Sequence, residues 1–163
     1  MSRLFSRRTM VAAGGAAAMA PLTFASVARA APNSGSLITL LTPIRLYDSR
    51  IDKVPLGGAK LATGNTVIVT VTVPDESRFL TAAFLNVAIT QTEGAGFLRV
   101  YGTDSSGLRP APTTSNINWS QSHQTLANLA LTTVGSEFGV DISAGGNGRT
   151  HVIVDLQGYV PFE

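Results

Sequence analysis

Trp119 is the only tryptophan of the chain. It lies in Ser115-Asn116-Ile117-Asn118-Trp119-Ser120-Gln121-Ser122-His123-Gln124, crowded by amides and hydroxyls. A flat apolar ring beside amide donors and acceptors suits a saccharide, which has an apolar ring face and a polar edge. Trp119, Asn116, Asn118, Gln121 and Gln124 are therefore candidate ligand-binding residues. The alternative is an indole that packs the core beneath this loop. Tryptophan is rarely buried completely even in ordinary cores, and the polar neighbours predict a partly exposed ring.

Three further polar residues sit inside apolar runs: Asn86 in Phe84–Ile89, Asn128 in Leu126–Leu131 and Asp155 in Val152–Leu156. Strand alternation puts Asn86 on a face with Phe84 and Ala88, Asn128 with Leu126 and Ala130, and Asp155 with His151 and Ile153. The opposite face is the more apolar one in each case, so the three are expected on a wetter face. If loops cover that face, each side chain must find a partner, because a buried unpaired polar group costs ~1–3 kcal/mol. Asp155 then wants an arginine, and Arg45 or Arg50 is the natural candidate. Arg45, Asp48, Arg50, Asn86, Asn128 and Asp155 are expected to form a structural polar network rather than a site.

Two other chemistries can be weighed. Asp48, Asp155, Asn86 and Asn128 offer hard oxygen ligands of the calcium type, but no spaced D-x-D-x-D loop is present, and Asp104 is a single carboxylate in a turn. No metal and no cofactor are expected. Hydrolysis would need base, orienter and nucleophile within hydrogen-bond reach. His151 and Asp155 lie about 13 Å apart along a strand at ~3.3 Å per residue. There is no G-x-S-x-G elbow, and His123 has no carboxylate nearby in sequence. No catalytic residue is assigned.

These residues must be held by strands. Thr66 to Val73 puts Val67, Val69, Val71 and Val73 on one face and threonines on the other, with Ile68 breaking the pattern. Thr81 to Thr90 alternates in the same way. Strands are also predicted at 37–41, 44–50, 97–101, 125–134, 138–142 and 150–160, with 51–65 and 102–114 as loops. Pro74-Asp75-Glu76-Ser77 and Ala144-Gly145-Gly146-Asn147-Gly148 read as turns. No window has a 3.6-residue apolar period. Short strands at near-regular spacing argue an all-β, antiparallel β-sandwich of jelly-roll-like kind, with a barrel as the alternative.

The N-terminus has a different character. Ser6-Arg7-Arg8-Thr9-Met10-Val11 reads as a twin-arginine export signal, followed by an alanine- and glycine-rich apolar stretch and Ala28-Arg29-Ala30, an A-x-A cleavage site. The stretch is too short and glycine-rich to span the ~20 residues of a bilayer. The expected organisation is a signal peptide at 1–30, a linker at 31–36 and one domain at 37–163. Four of the 12 basic residues (Arg3, Arg7, Arg8, Arg29) lie in the leader, and all 10 acidic residues follow it. The mature part thus carries 8 basic against 10 acidic residues, a net charge of −2. That leaves no basic footprint for nucleic acid. There is no cysteine, so the exported chain depends on its core rather than on disulfides.

Five ordered motifs carry a resemblance. Arg45-Leu46-Tyr47-Asp48-Ser49-Arg50, Gly96-Phe97-Leu98-Arg99-Val100-Tyr101, Ser115-Asn116-Ile117-Asn118, Ala127-Asn128-Leu129-Ala130 and Val154-Asp155-Leu156-Gln157-Gly158-Tyr159-Val160 span residues 40 to 160. They resemble a β-domain found, singly or in tandem, in exported actinobacterial proteins, often beside hydrolase domains. The family pattern reads R-L-x-D-T-R, G-F-x-x-V-Y, S-N-L-N, A-N-x-V and V-D-V-x-G-Y-F. Departures are Ser49 for Thr, Ala130 for Val and Val160 for Phe. The resemblance implies a stand-alone copy of an accessory module and supplies no catalytic residues. The expectation is a secreted or loosely wall-associated, Tat-exported monomer, outside the membrane after cleavage. It would bind a cell-wall or extracellular polysaccharide or a surface protein, with a small secreted hydrolase as the alternative.

Overall fold

The period-2 valines of residues 66–73 behave as their spacing requires. Val67, Val69, Val71 and Val73 are buried, while Ile68, the one break in the pattern, is 56% exposed. The computed structural model describes residues 38–74, 79–103, 110–135 and 137–162. The leader, the linker, the turn at 75–77 and Asp104 lie outside the described residues.

Among the described residues nine strands follow in order: β1 (Thr39–Asp48), β2 (Leu61–Ala62), β3 (Thr66–Thr70), β4 (Leu80–Glu93), β5 (Gly96–Gly102), β6 (Ile117–Trp119), β7 (Leu126–Thr133), β8 (Gly139–Gly146) and β9 (Arg149–Pro161). They form two antiparallel sheets that do not close on each other. One runs β1-β9-β4-β7, with β2 also on β9; the other runs β3-β8-β5-β6. The molecule is an all-β sandwich and not a barrel.

The core lies between the sheets. From the first sheet come Ala83, Leu85, Val87 and Ile89 of β4 and Val152, Val154 and Leu156 of β9. From the second come Leu98 of β5 and Val140 and Ile142 of β8. β4 and β9 are the longest strands and have neighbours on both sides, so their inner faces are fully covered.

Several boundaries differ from expectation. The two predicted strands at 37–41 and 44–50 are one strand, β1, which passes through Pro43. Pairing shifts between Leu40 and Ile44 absorb the proline, as expected where a ladder bond is missing. β2 arises inside the predicted 51–65 loop and β6 inside the polar loop around Trp119. Both are two or three residues long, too short for periodicity to register. β8 runs on to Gly146, which adopts φ 95° as the chain turns into β9.

Candidate functional site

β1 and β9 pair Arg45 with Asp155, and β9 and β4 pair Asp155 with Asn86. The arginine expected for Asp155 is therefore Arg45, whose Nε donates to Asp155 Oδ1. The same guanidinium donates from Nη1 to Asp48 Oδ2 at 3.0 Å. Arg50 closes on Asp48 from the other side, with Nε to Oδ1 at 2.8 Å and Nη2 to Oδ2 at 2.5 Å. The Arg50 backbone N–H adds a bond to Oδ1 at 3.1 Å. Asp48 is 1% exposed, and the Arg50 hydrogen bonds hold its carboxyl well down, to about 2, against the opposing effect of burial. Charge-assisted bonds occupy both of its oxygens, which leaves this carboxylate little capacity for a cation. Among the described residues no group of three or more His, Asp or Glu side chains gathers as a metal cage would require.

Asn86 borders this cluster, but Asn128 does not belong to it. β7 sits opposite β4 with Asn128 across from Val87 and Ala130 across from Leu85. Asn128 therefore shares the side of Leu85 and Val87, which was not expected, but at this sheet edge it stays exposed, as the predicted wetter setting requires. Its Nδ2 donates to Asn116 O at 2.7 Å, tying the rim of the first sheet to the second. Leu129 and Leu131 take the outer face, 54% and 61% exposed. β7 is an edge strand, and on such a strand apolar composition does not decide which face is covered.

The Trp119 loop also departs from expectation. The indole is 4% exposed, so the predicted partly exposed ring is wrong. β6 alternates buried Ile117, exposed Asn118 and buried Trp119, which turns the ring inward. Gly96 lies against that ring: a Cβ there would meet Trp119 Cζ2 at 2.4 Å, so only glycine fits.

The loop amides are engaged as well. Asn116 Oδ1 accepts the Val100 N–H at 2.7 Å, and the Asn116 N–H donates to Leu98 O at 2.8 Å. Asn118 Oδ1 accepts Ser115 Oγ–H at 2.9 Å. Gln124 Oε1 accepts the N–H groups of Ser120 at 2.9 Å and Gln121 at 3.1 Å. The turn wraps Thr92, a fully buried β4 residue that the sequence did not single out. Thr92 Oγ1 donates to Gln121 O and accepts the Gln124 N–H, both at 2.8 Å. The proposed sugar-binding amides are thus largely local backbone partners.

One contact has the composition of a nucleophile and its base. Ser49 Oγ lies 2.9 Å from His151 Nδ1. The same oxygen accepts the Val152 N–H at 2.9 Å, and the imidazole tautomer sets which of Ser49 and His151 donates to the other. Burial, reinforced by Lys60 and Arg50, pushes the His151 pKa down. Ser49 itself is fully buried, and its own N–H is bound to Val152 O. The pair fastens the end of β1 to β9. A second ion cluster, also unforeseen, sits at the start of β9 near His151: Glu93 bridges Lys60 (2.6 Å) and Arg149.

Compared with known proteins, the chain matches no family model and no curated protein at a significant level.

Proposed function

We propose that this chain is an exported, non-catalytic β-sandwich module that binds a surface component outside the cytoplasm, a protein in preference to a glycan. The Ser49–His151 contact carries the proposal. It is the arrangement a hydrolase would need, yet Ser49 is shut away from solvent with its hydrogen bonds engaged. A nucleophile must reach a carbonyl carbon, and a hydroxyl at 0% exposure offers no approach.

The preference for protein rests on Trp119. Without an accessible indole the loop loses its stacking platform, whereas Leu40, Leu129 and Leu131 stay open to a partner. The twin-arginine leader and the five motifs shared with exported actinobacterial β-domains support the location. The route is Tat export, and the destination is the medium or a loose association with the wall.

The test incubates the purified chain with cell-envelope fractions, a glycan array and a panel of ester and glycoside substrates. The proposal expects retention on the envelope that protease treatment of the envelope removes, no array signal and no turnover. Turnover abolished by Ser49→Ala would establish the hydrolase instead. Array binding would restore the glycan.

A further inference from the structure

The outer edge of β7 is a backbone surface that lacks the usual protection. Val134 N–H donates to Thr81 O at 3.1 Å, which sets the phase of the β4–β7 ladder. Antiparallel partners alternate between residues that exchange backbone bonds and residues that do not. Leu126, Asn128, Ala130 and Thr132 therefore turn their backbone groups to β4, while Ala127, Leu129, Leu131 and Thr133 turn theirs away. Thr133 O already lies close to Gly102, where an added Cβ would stand 2.7 Å from it. Among the described residues, the run without a backbone partner on this side is thus Ala127 to Leu131.

Edges are commonly defended by proline, charge, bulges, short length or a covering loop. β1 has Pro43, Arg45 and two pairing shifts. β6 is three residues long. At β3, Val54 and Pro55 share a pocket with Ile68 and Thr70. Among the described residues β7 has none of these: eight residues, no charge, no proline and an unbroken register on β4.

We infer that β7 pairs antiparallel with β7 of a second copy of this chain, about a two-fold axis at Leu129. That register engages every free backbone group from Ala127 to Leu131. It sets Leu129 against the partner copy's Leu129, and it sets the bulky Leu131 against the small Ala127, twice. A two-fold interface must be self-complementary, and this segment meets the condition. A neutral strand also brings the copies together without like-charge repulsion at the contact, although the mature part carries net −2. The product joins the two first sheets into one continuous sheet.

The absence of cysteine makes the test clean. Residues directly opposite in the bonded positions have Cα atoms about 5.5 Å apart, which suits a disulfide. The full chain should sediment as a dimer. Leu129→Cys should oxidise to a covalent dimer, and Leu131→Cys should cross-link at least tenfold more slowly. Leu129→Lys opposes two like charges at the axis, so it should give a folded monomer whose melting temperature no longer depends on protein concentration. A wild-type chain that stays monomeric up to about 0.1 mM would overturn the inference. So would a dimer that survives Leu129→Lys, or equal cross-linking at the two positions.

Discussion

At the Trp119 loop, polar side chains bind backbone groups; at the Asp48 turn, they bind one another. In the first, Asn116, Gln124 and Thr92 satisfy N–H and C=O groups of a short strand and a tight turn. The indole beneath takes part only as packing. In the second, Arg45 and Arg50 converge on a buried carboxylate from opposite sides, and Arg45 extends the chain of charge to Asp155. The loop should therefore depend on volume and hardly on pH, whereas the turn should depend on charge. In both, the amides, hydroxyls and charges named here are bound within the fold.

Removing volume should have the largest effect. Trp119→Ala deletes a ring packed against Gly96 and should cost ~3–5 kcal/mol of stability. A chemical-denaturation series measures it, and a loss under about 1 kcal/mol would place the ring outside the core.

Removing charge should cost less. Asp48→Asn keeps the shape but leaves two guanidinium groups without their anion. Full burial would make such a loss ~3–5 kcal/mol, but Arg45 and Arg50 are 46% and 42% exposed, so about 2 kcal/mol is expected. Asp155→Asn should cost under ~1 kcal/mol, because that carboxylate is itself 19% exposed and its arginine keeps Asp48. The sign with pH follows from the lowered carboxyl. The Asp48 contribution is fully present above the ordinary carboxylate value near 4 and is lost as pH falls towards about 2. Acid titration of stability should show this loss in the wild type and a shallower one in Asp48→Asn.

What the sequence makes legible divides along the same line. The buried faces of β3, β4 and β9 follow from alternation, because each of those faces meets the other sheet. An arginine partner for Asp155 follows from the cost of burying a charge alone, but the choice of Arg45 over Arg50 comes from the β1–β9 register. The inward face of Asn128 does not follow, since an edge strand can show its leucines to solvent while an asparagine points to the rim. Nor does the burial of Trp119. A three-residue strand carries no readable period, and the amides around it look like ligand donors until the register shows which N–H groups they accept. Thr92 and Ser49 are short hydroxyl residues whose role is set by backbone brought close from 29 and 103 residues away, which local pattern cannot supply.

The central claim is that residues with the look of a site are engaged in holding the fold, and Trp119 tests it most directly. As the sole tryptophan it reports its surroundings without labelling. Steady-state fluorescence with iodide quenching should show emission blue-shifted from that of indole in water and unaffected by iodide until the protein unfolds. Adding envelope polysaccharide should change nothing. A red-shifted emission quenched by iodide in the native state, and protected by polysaccharide, would contradict the account and return the loop to solvent as a sugar site.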